Sequence, residues 1–244
     1  LTQDSGVELT YRVEFPADFK GERRATVERT LEILHKRVAD LKGQMTSRIE
    51  GEDRLVLRLT KRDLERLKPA LSRTGKLELL TVAPKGVQER FNKDGIVPEG
   101  YRELENPDPR PDPEYMAWGR RVLVAKMVVI DQSHIIRADA VQRMEIGRTR
   151  WATSFELNSE GAKRFDEAAK TLFDQRPSGL LAIVVDGKVY SLPRVNSESF
   201  HGQGEISGAK DEAEAKAMAA VLGSGALPFP LELESEKLYG PADK

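Results

Sequence analysis

Apolar and polar residues alternate over residues 7–15, near the start of the chain. A period of two places five side chains on one face and predicts a half-buried strand. Those side chains are Val7, Leu9, Tyr11, Val13 and Phe15. Pro16 ends the pattern, because proline cannot donate a hydrogen bond to a strand ladder.

Between about residues 22 and 42 the apolar positions recur at intervals of four and three, which is the period of one helix face. This stripe consists of Val27, Leu31, Leu34, Val38 and Leu41. A heptad-like stripe also fits a partner helix in a coiled coil. Three repeats with strands on either side favour a helix that packs on a sheet, and Gly43 is a natural residue to end it.

Two short apolar runs follow at 45–49 and 55–59, separated by a Gly51-Glu52-Asp53 turn, and they predict a hairpin. Thr60 with Asp63 then resembles a capping box and begins a second helix, in which Pro69 predicts a kink or a division.

Residues 76–82 predict a fourth strand. The order strand, helix, strand, strand, helix, strand is the ferredoxin-like pattern. The first 84 residues therefore predict a ferredoxin-like base of an α+β protein.

The middle of the chain is less regular. Residues 85–119 are rich in proline, glycine and charge, and they predict an extended, solvated excursion. The aromatic residues at its end, Tyr115 and Trp118, are interpreted as packing anchors in preference to peptide contacts. Residues 121–130 predict a strand pair or one long strand, and 144–157 predict a bent strand or a hairpin. A further helix begins at Asn158 or Ser159, either of which can cap it.

The strongest turn signal lies in the last third. Leu180 to Val185 is a run rich in branched apolar residues, Asp186-Gly187 follows, and Val189 begins a second run. Aspartate and glycine between two such runs predict a type I′ hairpin, because both central residues need a positive φ. Pro193 in the return strand requires a position at which no ladder N–H is needed.

Three glycines, Gly202, Gly204 and Gly208, then surround Ile206-Ser207 and predict a short strand between tight bends. An alanine-rich helix over about 211–222 comes next and ends at Gly223. A final strand from Leu231 is predicted to return to the base.

These motifs, in this order, resemble the large extracytoplasmic domain of the SecD family, membrane subunits that assist preprotein translocation through the Sec channel. The residues that carry the resemblance are Asp186, Gly187, Pro193, Gly202, Gly204, Ile206, Ser207, Gly208, Ala226, Leu227 and Pro228. The resemblance is strongest over 150–241 and clear over 6–82. It implies a ferredoxin-like base over 1–84 and 223–244, with an inserted α+β head over 85–222.

The resemblance also implies a function. A domain of this family would bind emerging unfolded preproteins and assist export driven by the proton-motive force, with SecF and the SecYEG channel as partners of the full-length protein. It would be a monomeric periplasmic part of an inner-membrane protein, with transmembrane helices outside both ends of this chain. Movement of the head requires hinges, and glycine-containing joints are usual sites. The hinge candidates are Lys85, Gly86, Gly223, Ser224 and Gly225.

Composition agrees with such a role. Charged residues make up 32% of the 244 positions, and the net charge is −1, from 39 basic and 40 acidic residues, which does not favour a nucleic-acid partner. The chain has no cysteine, so thiol chemistry and disulfides are excluded. No run approaches the ~18 apolar residues of a transmembrane helix.

No catalytic or metal-binding pattern emerges, and no cofactor is predicted. His35, His134 and His201 have no metal-ligand spacing, and turn chemistry explains Asp186. The glycines of 202–208 fit tight strand packing better than an anion cradle, which stays the alternative. A solute-binding domain of a resistance-nodulation-division exporter is the second functional hypothesis, and a hydrolase would need an acid–base pair that the sequence does not show.

Overall fold

The computed structural model describes residues 6–106, 120–145, 148–175 and 179–240. Its helices are α1 (Arg23–Asp40), α2 (Lys61–Leu71), α3 (Lys85–Asp94), α4 (Ser159–Phe173) and α5 (Glu212–Ser224). Its strands are β1 (Gly6–Val13), β2 (Thr46–Glu50), β3 (Arg54–Thr60), β4 (Leu77–Val82), β5 (Tyr101–Glu105), β6 (Arg121–Asp131), β7 (Ile135–Glu145), β8 (Arg148–Leu157), β9 (Leu181–Val185), β10 (Lys188–Ser191), β11 (Gln203–Ala209) and β12 (Leu231–Tyr239).

The chain divides into two compact units. The terminal unit consists of Leu1–Gly75 with Asp211–Lys244, and the central unit is Lys76–Lys210. These limits differ from the predicted ones at 84/85 and 222/223. The reason is that β4 pairs with strands of the central unit, whereas α5 packs against α1 and α2 of the terminal unit.

The sheet of the terminal unit has the order β12-β1-β3-β2, and each neighbouring pair is antiparallel. The prediction that residues 76–82 supply its fourth strand is wrong, since β12 lies beside β1 and β4 lies in another sheet. Burial explains the difference. Five of the six β4 residues are buried, which suits a strand covered on both faces, whereas β12 is largely exposed like an edge strand.

One face of this sheet forms the core of the terminal unit. Cross-strand pairs such as Leu9 with Leu57 and Tyr11 with Leu55 place the alternating residues of β1 beside those of β3. Val27, Leu34 and Val38 of α1 are buried against them, as the helical stripe predicts. Burying each side chain of this size stabilises the fold by about 1.5–3 kcal/mol.

Arg37 of α1 is also fully buried, with 0% of its surface exposed. Its guanidinium donates to the carbonyl of Ala70 at 2.9 Å and to that of Thr74 at 2.9 Å. It donates also to the Ser224 hydroxyl and the Gly225 carbonyl, both at 3.0 Å, and to the Arg73 carbonyl. These acceptors lie at the carboxyl ends of α2 and α5, where the helix dipole favours a cation.

The central unit contains a five-stranded sheet of order β10-β9-β4-β6-β5 and a three-stranded sheet of order β11-β8-β7. Neighbouring strands are antiparallel in both. Helix α4 packs against β6 and β8, and it buries Phe165, Ala169 and Leu172. The opposite face of the larger sheet has its own core, which includes Leu80, Ala182 and Val184.

Residues 85–105 do not form the extended excursion that was predicted. They contain α3 and β5, and the buried side chain of Gln88 ties α3 to β6. Its amide donates to the Arg121 carbonyl at 3.0 Å and accepts from the Leu123 N–H at 2.9 Å. Residues 107–119, with Tyr115 and Trp118, lie outside the described residues.

Several local predictions can be compared with the structure. Residues 121–130 belong to one long strand, and the Asn158 side chain caps α4 by accepting from the Gly161 N–H at 2.8 Å. Pro69 does not divide α2, because it lies in the last turn, where its missing N–H removes only one hydrogen bond before the helix ends. A short helical turn at Gln132–His134 joins β6 to β7.

We predict that Arg37→Met lowers the free energy of unfolding by about 3 kcal/mol or more, because buried acceptors lose their donor. In Arg37→Lys the lysine retains three donors, so this variant should lose less free energy of unfolding than Arg37→Met. Urea denaturation of the 244-residue chain measures both changes. Arg29→Met is the matched control, since Arg29 is an exposed α1 residue paired with Glu32 at 3.6 Å, and it should change stability by about 0.5 kcal/mol or less. Equal stability of Arg37→Met and wild type would contradict this role.

Candidate functional site

The central unit contains a cleft with a volume of about 590 Å³. One of its walls is apolar and the other is polar. The apolar wall comes from β4, β9, α4 and the segment that follows β10. The polar wall comes from β7, β8 and β11. A concave site with apolar lining and a few polar groups is the usual form of a binding pocket.

The pairing of β4 with β9 creates the apolar wall. Leu79 lies opposite Ile183, and Leu181 is two residues from Ile183 on the same face of the sheet. These three residues line the cleft, while their neighbours Leu80 and Ala182 point to the core on the other face. Both faces of this part of the sheet are therefore apolar, which accounts for the unbroken hydrophobic run of Leu180 to Val185.

The register of the three-stranded sheet creates the polar wall. Arg137 of β7 lies opposite Glu156 of β8, which in turn lies opposite Gln203 of β11. Two residues further along, Asp139, Ser154 and Glu205 form a second row. All six side chains line the cleft, together with Arg143. Residues two apart in a strand share a face, so these two polar rows lie on one face of the sheet.

Two ion pairs lie on this wall. Arg137 donates to Asp139 at 2.6 Å, and Arg143 donates to Glu205 at 2.7 Å. The two arginine side chains are more than half exposed, so each pair contributes little to stability. Charges of both signs are therefore present on this wall.

The segment from Pro193 to Phe200 forms the rim of the cleft. Backbone hydrogen bonds hold its first part, from the Leu181 N–H to the Pro193 carbonyl and from the Val195 N–H to the Gly179 carbonyl, both at 3.0 Å. Its far end is held by Phe200, whose ring stacks on Phe165 of α4 with centroids 5.1 Å apart. Both rings line the cleft.

Asp166 of α4 holds the far end of this rim through hydrogen bonds. Its carboxylate accepts from the Phe200 N–H at 2.8 Å and from the Ser199 hydroxyl at 2.7 Å. Burial acts to raise the pKa of Asp166, but these hydrogen bonds, with a smaller contribution from the nearby His201, outweigh it and lower the pKa. The hydrogen bonds that hold the rim therefore favour the ionised form of this carboxylate.

The predicted hairpin at Asp186-Gly187 is confirmed. It joins β9 to β10, and both residues have a positive φ, 50° and 77°. The Asp186 carboxylate also accepts from the Lys76 N–H at 2.9 Å, where the chain enters β4. This residue is therefore a turn and anchoring residue.

The other predicted motif residues of the central unit lie around the cleft. Pro193 and Gly204 line it, and Ile206 of β11 is buried. Gly202 has a φ of 73°, and Gly208 one of 107°, so both are bends of the kind predicted for the ends of β11. Ser207 lies on the same strand and is exposed.

Position 204 requires glycine because the Phe155 ring lies close to its backbone. A Cβ atom at this position would lie 2.1 Å from Cζ of the Phe155 ring, which also lines the cleft. The tight strand packing that was predicted for this glycine-rich segment is therefore present at Gly204. No anion or other ligand is needed to explain the glycine.

The remaining motif residues lie in the terminal unit. Ala226, Leu227 and Pro228 follow α5, and Leu227 is buried in the core with its N–H donating to the Thr74 carbonyl at 2.8 Å. Their role is to connect α5 to β12.

The hinge candidates are not at the points where the chain passes between units. Lys85 and Gly86 begin α3, within the central unit. Gly223 and Ser224 end α5, and Gly225 follows it with a φ of 95°, within the terminal unit. The Ser224 hydroxyl and the Gly225 carbonyl accept from Arg37. Movement at these five residues stays a prediction.

Sequence reasoning did not single out the polar wall or Phe200. A signal for the wall is present in β7. Arg137, Asp139 and Arg143 are separated by even numbers of residues, so a strand places all three on one face. The partner residues on β8 and β11 come from distant segments, so only the register of the sheet assembles the wall.

The described part of the chain offers no metal centre and no membrane span. None of its groups of histidine, aspartate and glutamate has three members placed to hold a metal ion. Within it, His134 is buried and bound to Asp131 at 2.8 Å, and His35 contacts Ser47 at 2.8 Å. No helix in it is long and apolar enough to cross a bilayer.

We predict that Gly204→Ala destabilises the protein by about 1–3 kcal/mol, because the added Cβ displaces the Phe155 ring from a packed position. Thermal unfolding measures the change. Gly86→Ala is the matched control, since a Cβ at this helical position has nothing within 4 Å, and the change should raise stability by up to ~1 kcal/mol. A fully stable Gly204→Ala protein would refute the close approach.

The rim should be insensitive to pH until strongly acidic conditions. Because the folded-state pKa of Asp166 lies below the ~3.9 of an unfolded aspartate, its contribution is complete above about pH 5. It is lost as the pH falls through the folded-state value. The amide resonance of Phe200, followed from pH 7 to pH 2, measures this transition. Glu167→Gln, which changes the neighbouring carboxylate of α4, is the control and should leave the transition unchanged. A transition near pH 6 that survives in Asp166→Asn would show that another group holds the rim.

Comparison with known proteins places these features in a family. Residues 111–229 match the family model described as "SecDF, P1 head subdomain". The protein translocase subunit SecD of Acetobacter pasteurianus is 30% identical over 246 residues, which cover 98% of this chain and 43% of that protein. SecD of Syntrophobacter fumaroxidans is 25% identical over 228 residues, covering 90% of this chain and 40% of that protein. The chain thus spans less than half the length of these relatives.

Two solved structures share the fold. A crystal structure of SecDF in a super-membrane-facing form has a TM-score of 0.68 at 22% identity and covers 97% of this chain and 30% of that one. A structure of SecDF, described as a membrane component that enhances protein export, has a TM-score of 0.64 at 21% identity and covers 93% of this chain and 98% of that one. The fold is accordingly the mixed α+β fold of SecDF, built mainly from antiparallel sheets. Residues 111–229 thus match the SecDF P1 head, and almost the whole chain is similar to SecD, a protein translocase subunit.

Proposed function

We propose that this chain is the extracytoplasmic domain of a Sec accessory subunit, and that it binds unfolded preproteins as they emerge and assists their export by the proton-motive force. The observation that carries the proposal is the cleft of the central unit, which has one apolar wall and one polar wall with two ion pairs, in a chain whose relatives are protein translocase subunits.

The two walls suit an unfolded polypeptide. Such a chain exposes apolar side chains, which Phe165, Phe200 and the β4–β9 wall would bury. It also exposes polar backbone groups and charges of either sign. The paired charges of the polar wall, Arg137 with Asp139 and Arg143 with Glu205, present both donors and acceptors without excluding one sign. Binding of this kind depends little on sequence, as a translocase requires.

The terminal unit is proposed to be the ferredoxin-like base. Its antiparallel sheet of order β12-β1-β3-β2, with α1 and α2 in the two crossovers, supports this assignment if β12 is the fourth strand. The central unit would then be the inserted head. Association with SecF and the SecYEG channel, attachment to the inner membrane and a hinge motion of the head are parts of the same proposal.

The other functional hypotheses have less support. The relatives and solved structures described above are translocase proteins, which does not favour a solute-binding domain of a resistance-nodulation-division exporter. The role proposed for the cleft is binding and involves no chemical step.

We predict that Phe200→Ala weakens binding of an unfolded polypeptide about tenfold, because truncating an aromatic anchor of a binding site typically costs more than 1 kcal/mol. The probe is reduced, carboxymethylated α-lactalbumin labelled with a fluorophore, and anisotropy measures the affinity. Phe19→Ala is the matched control, since Phe19 is a partly buried aromatic residue of the terminal unit. It should bind the probe like wild type.

Cross-linking tests the location of binding. Benzoylphenylalanine in place of Asn196, an exposed residue of the rim, should cross-link the unfolded probe and not native α-lactalbumin. The same group in place of Arg29, on the exposed face of α1, should cross-link neither. Equal cross-linking from both positions, or of both forms of the probe, would remove the support for binding in the cleft.

A further inference from the structure

We propose that β7 is the docking strand of this protein: an extended segment of the unfolded polypeptide pairs with its open edge and adds a fourth strand to the β11-β8-β7 sheet. This inference rests on the proposed function and adds the conformation in which the polypeptide is held. It would explain binding without sequence preference, because main-chain hydrogen bonds are the same for every residue except proline.

The first observation is the length and regularity of β7. It contains 11 residues, Ile135–Glu145, with neither glycine nor proline. It pairs with β8 in unbroken register from Arg137 to Glu145, and in the described part of the chain it has no strand on its other side. A strand of this kind has a continuous row of unpaired backbone groups along one edge.

The register shows which backbone groups are open. The Leu157 N–H donates to the Gly202 carbonyl, on the β11 side of β8, at 2.8 Å. Backbone groups alternate in direction along a strand, so Glu156 and Ser154 turn theirs toward β7. These two residues lie opposite Arg137 and Asp139, which therefore pair with β8.

On β7, the residues that alternate with Arg137 and Asp139 must direct their backbone groups away from β8. The N–H and C=O groups of Ala138, Ala140 and Gln142 point away from β8, toward the open edge. Ala138 and Ala140 have small side chains, so nothing bulky at these positions blocks the approach of another backbone.

The other sheet edges are protected in the usual ways. Strands β2, β5 and β10 have only five, five and four residues. Strand β11 has a register shift near its end. Strand β12 is longer, but its register with β1 shifts in the middle, and its exposed face carries glutamates that are paired with arginines.

The second observation is that β7 borders the cleft. Arg137, Asp139 and Arg143 line it, so an added strand would direct alternate side chains toward the same cleft. The opposite face of β7 carries Ile136 and Met144, which are 60% and 85% exposed. The remaining side chains of an added strand would cover these two apolar residues. Both faces of β7 therefore offer contacts to a paired polypeptide.

Proline substitutions at the open edge test the pairing. Ala138→Pro and Ala140→Pro each remove one outward N–H and leave the hydrogen bonds to β8 intact, a placement that edge strands tolerate. Ala140→Val keeps the N–H and is the matched control. The probe is a fluorescein-labelled peptide of alternating threonine and valine flanked by lysines, measured by anisotropy with the 244-residue chain. Each proline should weaken binding about fivefold or more, and the valine should not weaken it.

A second measurement needs no change in the protein. The same peptide with every central amide N-methylated retains its side chains and cannot donate main-chain hydrogen bonds, and it should bind at least about tenfold more weakly. Unchanged affinity of the proline variants, or equal affinity of the methylated peptide, would overturn the inference. If Phe200→Ala weakens binding while both proline variants bind like wild type, the cleft remains the binding site and strand pairing is wrong. If wild type binds neither this peptide nor unfolded α-lactalbumin, the proposed function fails as well.

Discussion

The terminal unit depends on the burial of one guanidinium group. Arg37 enters the interior with a full charge, and removing such a charge from water is costly unless hydrogen bonds replace the lost solvent. The replacement comes from carbonyl groups at the ends of α2 and α5 and from the Ser224 hydroxyl. Segments more than 150 positions apart in sequence are thereby held by a single side chain.

Gly75 shows how tightly this region is packed. It has a φ of 81°, and a Cβ atom would lie 2.5 Å from Cγ1 of Val221 and 2.8 Å from Nη2 of Arg37. Only glycine fits there, and it is the last residue of the first segment of the terminal unit. The point at which the chain leaves this unit is therefore defined by the same buried group.

The cleft of the central unit is bounded by two walls of different chemistry. Its apolar wall includes Leu79, Leu181 and Ile183, and its polar wall carries two ion pairs. The one carboxylate with a lowered pKa at its rim, Asp166, accepts hydrogen bonds from the backbone and a hydroxyl that it positions. Its role is structural.

Local patterns in the sequence were sufficient for most helices, caps and turns. The stripe of Val27, Leu34 and Val38, the cap at Asn158 and the turn at Asp186-Gly187 depend on residues close together in the chain, and the structure has all of them. The family could also be inferred from the motifs between Asp186 and Pro228, because their order and spacing are themselves sequence properties.

The pairing of distant strands could not be inferred in this way. Strand β4 has the length and composition of the fourth strand of a ferredoxin-like sheet, yet it pairs with β6 and β9. Likewise, Arg137, Glu156 and Gln203 form one row of the cleft only because three strands align in one register. The sequence by itself determined most of the elements and the resemblance to SecD, since both are encoded locally. The tertiary structure decided the strand partners, the burial of Arg37 and the two walls of the cleft, because each depends on contacts between segments that the chain brings together only when it folds.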